Sequence, residues 1–453
     1  MTRIYPHFTV AKFGGSSVAD FDAMNRSASI VLADQNVRLV VLSACAGVTN
    51  LLVELSEGLE NHQQLDKVET LRTIQYNIIS RLKQTTVISK EIDNLLENIS
   101  RLAQTAMTSP SAALSDELVS HGEMMSTLLF TEVLREHNAE ASWFDARSVI
   151  RTDNNYGCAQ PIVSAVAEQA ELHLRPRIER EIVITQGFIG RDPAGHTTTL
   201  GRGGSDYTAS LLGEALHAAR VDIWTDVAGI YTTDPRIVPQ AQRIDSISFS
   251  EASDMAAYGA KVLHPDTLMP AMRKNIPVFV GSSKNVAAGG TLVCATTENS
   301  PRYRAVAVRR KQTLLRLHSL HPQPSCDFLS RMFALLAQHA VTVELVTISE
   351  NSIALALDPI NATSGEDHTL TTSLLTELSS HCRVEVETGL ALVTLVGNQL
   401  TQALGVCNDV FAELESHAVR MICHGASSNN LCFLLPGDSA DAAVRSLHSR
   451  LFE

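Results

Sequence analysis

Three glycine-bearing segments hold the side chains with chemical potential. Residues 11–18 read AKFGGSSV, which puts Lys12 at the end of an apolar run and Gly14 and Gly15 just after it. Glycines let a backbone approach a phosphate closely, and the N–H groups that open the next helix point toward it. The segment is neither a Walker A loop nor a G-x-G-x-x-G turn, and alone it reads as a structural turn with a solvated lysine. Residues 197–208, TTTLGRGGSDYT, place Arg202 among Gly201, Gly203 and Gly204, with Ser205 and Asp206 opening a helix. Ser and Asp are ordinary helix caps, but an arginine in such a turn also suits a carboxylate or phosphate. Two anion sites on one layered sheet suggest a phosphoryl donor and an anionic acceptor. The third segment, WTDVAGIYTTDPR at 224–236, offers Tyr231 and Arg236 to a nucleotide, although a plain surface hairpin accounts for its turn residues equally well.

The elements that must position these turns alternate between strand and helix patterns, as in a layered α/β domain. Strands are expected at 8–13, 37–42, 181–185, 221–225 and 277–281, and helices at 18–33, after Ser205 and at 249–258. Residues 37–42 form a continuous run of the kind found in strands buried on both faces. Between Gly58 and Gly122 there is no glycine, and apolar residues recur at spacings of three and four, which predicts a helical pair acting as scaffold. Ligands in open α/β sheets sit at the carboxyl ends of strands, where these turns fall. The Gly, Ser, Thr and Asn content of 282–301 reads as a linker. Beyond it, residues 332–357 align without a gap onto 410–435, with His-Ala-Val at 339–341 repeated at 417–419. Each copy reads helix, strand, turn, strand, so a small α+β unit is present twice.

At 453 residues the chain has room for about three domains. Its 45% hydrophobic and 19% charged content is that of a globular protein with a core. The net charge of −13, with no clustered basic footprint, argues against nucleic acid. Residues 312–453 contain no lysine and set 6 arginines against 15 acidic residues. Eight cysteines without a C-x-x-C pair read as reduced thiols rather than disulfides or a zinc site. With no signal-like start and no apolar run of about 18 residues, a cytoplasmic protein without membrane association is expected.

Six segments in order, AKFGGSSV, SACAGVTNLL (43–52), SDELVSHGEMMS (115–126), TTTLGRGGSDYTA, WTDVAGIYTTDPR and YGAKVLHP (258–265), resemble the aspartate kinases of the amino acid kinase superfamily. The likeness runs over essentially the whole chain and leans to their monofunctional, lysine-sensitive branch. It implies a three-layer amino acid kinase fold with a largely parallel central sheet over 1–297. Two ferredoxin-like α+β ACT units would follow over 298–453, the first about 312–388 and the second about 389–453 with a strand from about 302–310. The implied reaction is phosphorylation of the β-carboxylate of L-aspartate by ATP with Mg2+, the first step toward lysine, threonine and methionine.

Placed residue by residue, the resemblance implies ATP binding by Lys12, Phe13, Gly14, Gly15, Thr225, Asp226, Tyr231, Arg236, Lys261 and Val262. Aspartate would be held by Thr49, Glu123, Arg202, Gly203, Gly204 and Ser205, with Glu123 on the α-ammonium group and Arg202 on a carboxylate. Lys12 and Lys261 would act catalytically, organised by Asp206, and no dedicated protein metal ligand is implied. Lysine, as allosteric inhibitor, would lie between ACT units of two chains against Pro322, Ser325, Phe328, Leu329, Thr342, Val343, Glu344, Ser349 and Glu350, in a homodimer or tetramer. The family pattern differs at Pro322, Asp327, Thr342, Glu344 and Ile348, so the site either binds lysine with altered affinity or is desensitised. Two other readings are an acetylglutamate or glutamate kinase, and a non-catalytic amino acid sensor. The paired C-terminal repeats and the 115–126 segment count against the former, and the retained set Lys12, Glu123, Arg202, Asp206 and Lys261 against the latter.

Overall fold

A computed structural model describes residues 7–259, 263, 265–297, 300–320, 326–357 and 370–453. Chain contacts divide it into two compact units. The first comprises Met1–Ile230, Arg243–Ser253 and Lys261–Thr297; the second comprises Tyr231–Gln242, Asp254–Ala260 and Glu298–Glu453.

The first unit is built on eight strands: β1 (Thr9–Phe13), β2 (Val37–Leu42), β3 (Ala141–Phe144), β4 (Ile182–Gln186), β7 (Arg220–Thr225), β8 (Ser246–Ser248), β9 (Val278–Ser282) and β10 (Gly290–Cys294). A separate hairpin pairs β5 (Ile189–Arg191) with β6 (Thr197–Thr199). The sheet order is β3-β4-β2-β1-β7-β9-β10-β8, parallel from β3 to β9, with β10 antiparallel to β9. Membership of Gly290–Cys294 in this sheet corrects the reading of 282–301 as a linker. The helices are α1 (Phe21–Ala33), α2 (Val48–Ser56), α3 (Asn61–Ile79), α4 (Thr86–Thr108), α5 (Ala112–Glu136), α6 (Val163–Gln169), α7 (Arg175–Ile178), α8 (Gly204–Leu216), α9 (Phe249–Ala257) and α10 (Pro265–Arg273).

Local chemistry sets several of these boundaries. Asp20 caps α1 by accepting a hydrogen bond from Ala23 N at 2.7 Å, and Ser111 caps α5 by accepting one from Leu114 N at 3.2 Å. The glycine-free stretch forms α3 and α4 and then runs into α5, and the apolar faces of all three join one cluster with β1 and β2. Phe13 lies in that cluster, stacked 6.3 Å from Trp224 and tilted against Phe130 at 6.1 Å.

The second unit carries one antiparallel sheet: β11 (Tyr303–Ser319), β12 (Val343–Ile348), β13 (Ser352–Leu357), β14 (Cys382–Gly397), β15 (Met421–His424) and β16 (Asn430–Pro436), in the order β12-β13-β11-β14-β16-β15. The long strands β11 and β14 pair along their length, with an irregularity between Arg309 and Gln312. Its helices are α11 (Cys326–Gln338), α12 (Thr372–Ser379), α13 (Val406–Glu413) and α14 (Ala440–Phe452). Met332, Leu336, Leu374 and Leu378 pack with Leu315, Ile353 and Leu355. Val406, Val410, Val444 and Leu447 pack with Val393, Leu431 and Phe433. The repeat is therefore structural: α11, β12 and β13 recur as α13, β15 and β16.

Candidate active site

Because β1, β2 and β4 are parallel, their carboxyl ends open on one edge of the sheet, the usual ligand edge of a layered fold. There a cleft of about 220 Å³ is lined by Lys12, Ser43, Thr49, Glu123 and Phe188, together with Gly201 and the first turn of α8 from Gly203 to Asp206. Lys12 Nζ, largely buried, lies 2.6 Å from Asp206 Oδ1. Gly203 precedes α8 with φ +71°, a left-handed conformation that glycine takes without steric cost, and no side chain caps the helix there. The cleft thus meets a helix start with its positive dipole end and a buried ammonium group, both suited to anions.

Glu123 adds a carboxyl group whose ionised form has the opposite sign. Its Oε1 accepts a hydrogen bond from Ala44 N at 3.0 Å, while Oε2 is buried without a hydrogen-bond partner. Burial pushes its carboxyl up to about 8, partly opposed by the Ala44 amide and by Lys12. The neighbouring Cys45 thiol is pushed up to about 12, mainly by burial and then by Glu123, which leaves it unreactive. A buried carboxyl with one unpaired oxygen in a cleft suits an incoming ammonium group. Its helix is pinned to the strand ends: Ser126 Oγ donates to Ser43 O at 2.8 Å, and Gln186 Nε2 and Trp143 Nε1 donate to Thr127 Oγ1 at 2.9 and 3.0 Å.

The residues named from sequence divide by position. Lys12, Thr49, Glu123, Gly203, Gly204, Ser205 and Asp206 come together in the cleft. Arg202 is exposed on the same turn and is not among the lining residues. Phe13 is fully buried, so its side chain belongs to the core and only its backbone stands near the site, where its carbonyl accepts from Ser43 N at 3.1 Å. Gly14 N donates to Trp224 O at 3.1 Å, and Gly15 O accepts from Ala46 N at 3.2 Å. Half-buried Thr225 ends β7, and its hydroxyl donates to exposed Asp226 at 3.2 Å. Tyr231 and Arg236 belong to the second unit, where Arg236 pairs with Asp234 at 2.6 Å. Lys261 and Val262 lie outside the described residues. Among the described residues, no group of three or more His, Cys, Asp or Glu side chains could hold a metal ion.

Sequence reasoning did not single out Ser43, Phe188 or Asp116. Ser43 could have been found from the 43–52 segment that contains it. Phe188 has φ +70°, a conformation no sequence signal announces in a non-glycine residue.

In the second unit, Phe328 and Leu329 are half-buried on α11, Thr342, Val343 and Glu344 half-buried at the start of β12, and Ser349 and Glu350 exposed in the turn after it. Pro322 and Ser325 lie outside the described residues. The β12–β13 register shifts between Val343 and Leu345, so Glu344 sits at a bulge, and its Oε2 lies 3.0 Å from Arg309 NH1.

A parallel sheet with a buried lysine–aspartate pair at its carboxyl edge defines the amino acid kinase class, and the profile of the amino acid kinase family matches residues 7–282. An ACT domain profile matches residues 393–451. The lysine-sensitive aspartokinase 3 of Escherichia coli K12 is 62% identical over 444 residues, 98% of this chain and 99% of its own. Aspartokinase 2, chloroplastic, of Arabidopsis thaliana is 32% identical over 465 residues, 98% of this chain and 84% of its own. The crystal structure of E. coli aspartokinase III with aspartate and ADP, in the R-state, matches with a TM-score of 0.93 at 62% identity, covering 99% of this chain and all of that one (100%). Its T-state structure with lysine and aspartate matches with a TM-score of 0.84 at 61% identity, covering 98% and 100%. The chain belongs to the aspartokinases of the amino acid kinase family. No helix among the described residues is long and apolar enough to cross a membrane.

Proposed function

We propose that this protein is an aspartate kinase that transfers the γ-phosphoryl group of ATP to the β-carboxylate of L-aspartate, giving 4-phospho-L-aspartate and ADP. An oxygen of the ionised carboxylate forms the new bond to phosphorus while the bond to the β–γ bridging oxygen breaks and ADP leaves with the electron pair. No proton moves, so the site needs alignment and cations rather than a strong base. The observation that carries this reading is the Lys12–Asp206 pair, 2.6 Å apart at the start of α8. Asp206 holds the ammonium group where charge on the transferring phosphoryl must be neutralised. Glu123, with its unpaired oxygen, takes the α-ammonium group of aspartate, and the turn from Arg202 to Ser205 takes a carboxylate.

ATP arrives as its Mg2+ complex, with phosphates at the Gly14–Gly15 turn and with Thr225, Asp226, Tyr231, Arg236, Lys261 and Val262 completing the nucleotide site. Lysine inhibits through the ACT units at the residues named above. Homodimers form there, supported by the exposed Val346 and Ile348 on the edge strand β12. The protein works in the cytoplasm. The test is ADP formation with L-aspartate, L-glutamate and N-acetylglutamate, each with and without lysine. Turnover with aspartate, suppressed by lysine, is expected, and turnover with glutamate alone would overturn the assignment.

A further inference from the structure

Asp116 lies on α5 seven residues before Glu123, two helical turns away and therefore on the same face. It is only 4% exposed, yet among the described residues it forms no ion pair with a lysine, arginine or histidine. Its three donors lie in two segments, the loop before α6 (Gly157) and the last residue of β6 (Thr199). Gly157 N donates to Oδ2 at 3.0 Å, Thr199 N donates to Oδ2 at 2.8 Å, and Thr199 Oγ1 donates to Oδ1 at 2.9 Å.

Those segments lead directly to the cleft. Ala159 N donates to Thr199 O at 2.9 Å, Leu200 N to Phe188 O at 2.9 Å, and Gly204 N to Gly201 O at 3.1 Å. A side-chain carbon at Gly201 would come 3.2 Å from Gly157 O, so these backbones are in close contact. Burying a carboxyl group is costly unless its oxygens are satisfied, and removing it would strand the buried amide and hydroxyl of Thr199 and free the part-buried amide of Gly157.

We infer that Asp116 is a positioning residue for the acceptor amino acid, clamping the turn that opens α8 to the helix that carries Glu123. One helix thereby fixes the separation between the group for the substrate ammonium and the turn for its carboxylate. This rests on the reading of the cleft as the aspartate site. None of the three donors belongs to the Gly14–Gly15 turn, so the effect is specific to the acceptor and spares ATP.

The test uses the full-length protein with Asp116→Ala, Asp116→Asn and Thr199→Val, measuring KM for aspartate and for ATP separately, together with the thermal unfolding midpoint. Asp116→Ala should raise the aspartate KM about tenfold or more and leave the ATP KM within about twofold. Asp116→Asn keeps an oxygen for the two amides and turns an NH2 group toward a hydroxyl that can accept, so it should restore the aspartate KM to within about threefold. Thr199→Val should give an intermediate rise and add nothing in the Asp116→Ala background. An unchanged aspartate KM, or both KM values raised alike without rescue by Asp116→Asn, would overturn the inference. If Asp116→Ala does not fold, an unchanged aspartate KM in Thr199→Val overturns it. Wild-type protein that phosphorylates glutamate but not aspartate would instead overturn the substrate reading, and the same variants assayed on glutamate would then test the clamp.

Discussion

A carboxyl group pushed up to about 8 by burial is mostly protonated at neutral pH until a cation joins it. Glu123 is such a group, and the α-ammonium of aspartate is such a cation. Since kcat/KM reports ionisation of the free enzyme, its value for aspartate should rise with pH and level off above about 8, where the Glu123 carboxyl is ionised. Glu123→Gln should lose the rise and bind aspartate more weakly, and a flat wild-type profile over that range would sink the assignment. Stability has the opposite sign. The folded carboxyl lies above its ordinary value of 4.5, so the folded form binds the extra proton. The stability from this group is present at low pH and is lost as pH rises through about 8. The thermal midpoint of empty enzyme should drift down across that window and recover with saturating aspartate. At this scale Lys12 and Asp206 were conspicuous as charged residues beside glycine turns, whereas Glu123, inside α5, was named only through the family resemblance. Phe13 and Asp116 were not, because neither a core-facing ring nor a loop clamp has a local signature.

Strands with continuous apolar runs were the easiest elements to read. Residues 37–42 form β2 with the expected bounds, since burial on both faces demands such a run. Gly290–Cys294 escaped because it is five residues long and its burial alternates, so the polar content of its surroundings dominates any average over that stretch. The junction between β4 and α8 rests on Gly187, where an added Cβ would lie 2.5 Å from Ser205 Cβ and 2.7 Å from its Cα. Gly187→Ala must therefore displace the first turn of α8. Steady-state kinetics should show the aspartate KM raised about tenfold, and an unaltered value would mean that the turn absorbs the methyl group without moving the site.

Across the whole molecule, the acidic excess collects in the lysine-free third of the chain, while 30 of the 36 lysines and arginines lie earlier. In the second unit Glu344 is already paired with Arg309 at 3.0 Å, and Arg309 NH1 also donates to Ala257 O at 3.0 Å. A lysine ammonium group seeking Glu344 must share that carboxylate with a resident guanidinium. Removing a partly exposed competing cation should tighten lysine binding to Arg309→Ala about two- to fivefold by isothermal titration, the range of such ion pairs. Weaker binding in that variant would mean that the arginine builds the site rather than competes for it. By itself the sequence determined the glycine turns, the buried strands, the duplicated α+β unit and the family, because these are written in local spacing and residue type. Only the tertiary structure decided that Phe13 turns into the core, that 290–294 joins the sheet and that Arg309 reaches Glu344, and it supplied the 2.6 Å contact between Lys12 and Asp206. Such pairings join residues far apart in the chain, and which of them meet depends on how sheet and helices close in space rather than on any local pattern.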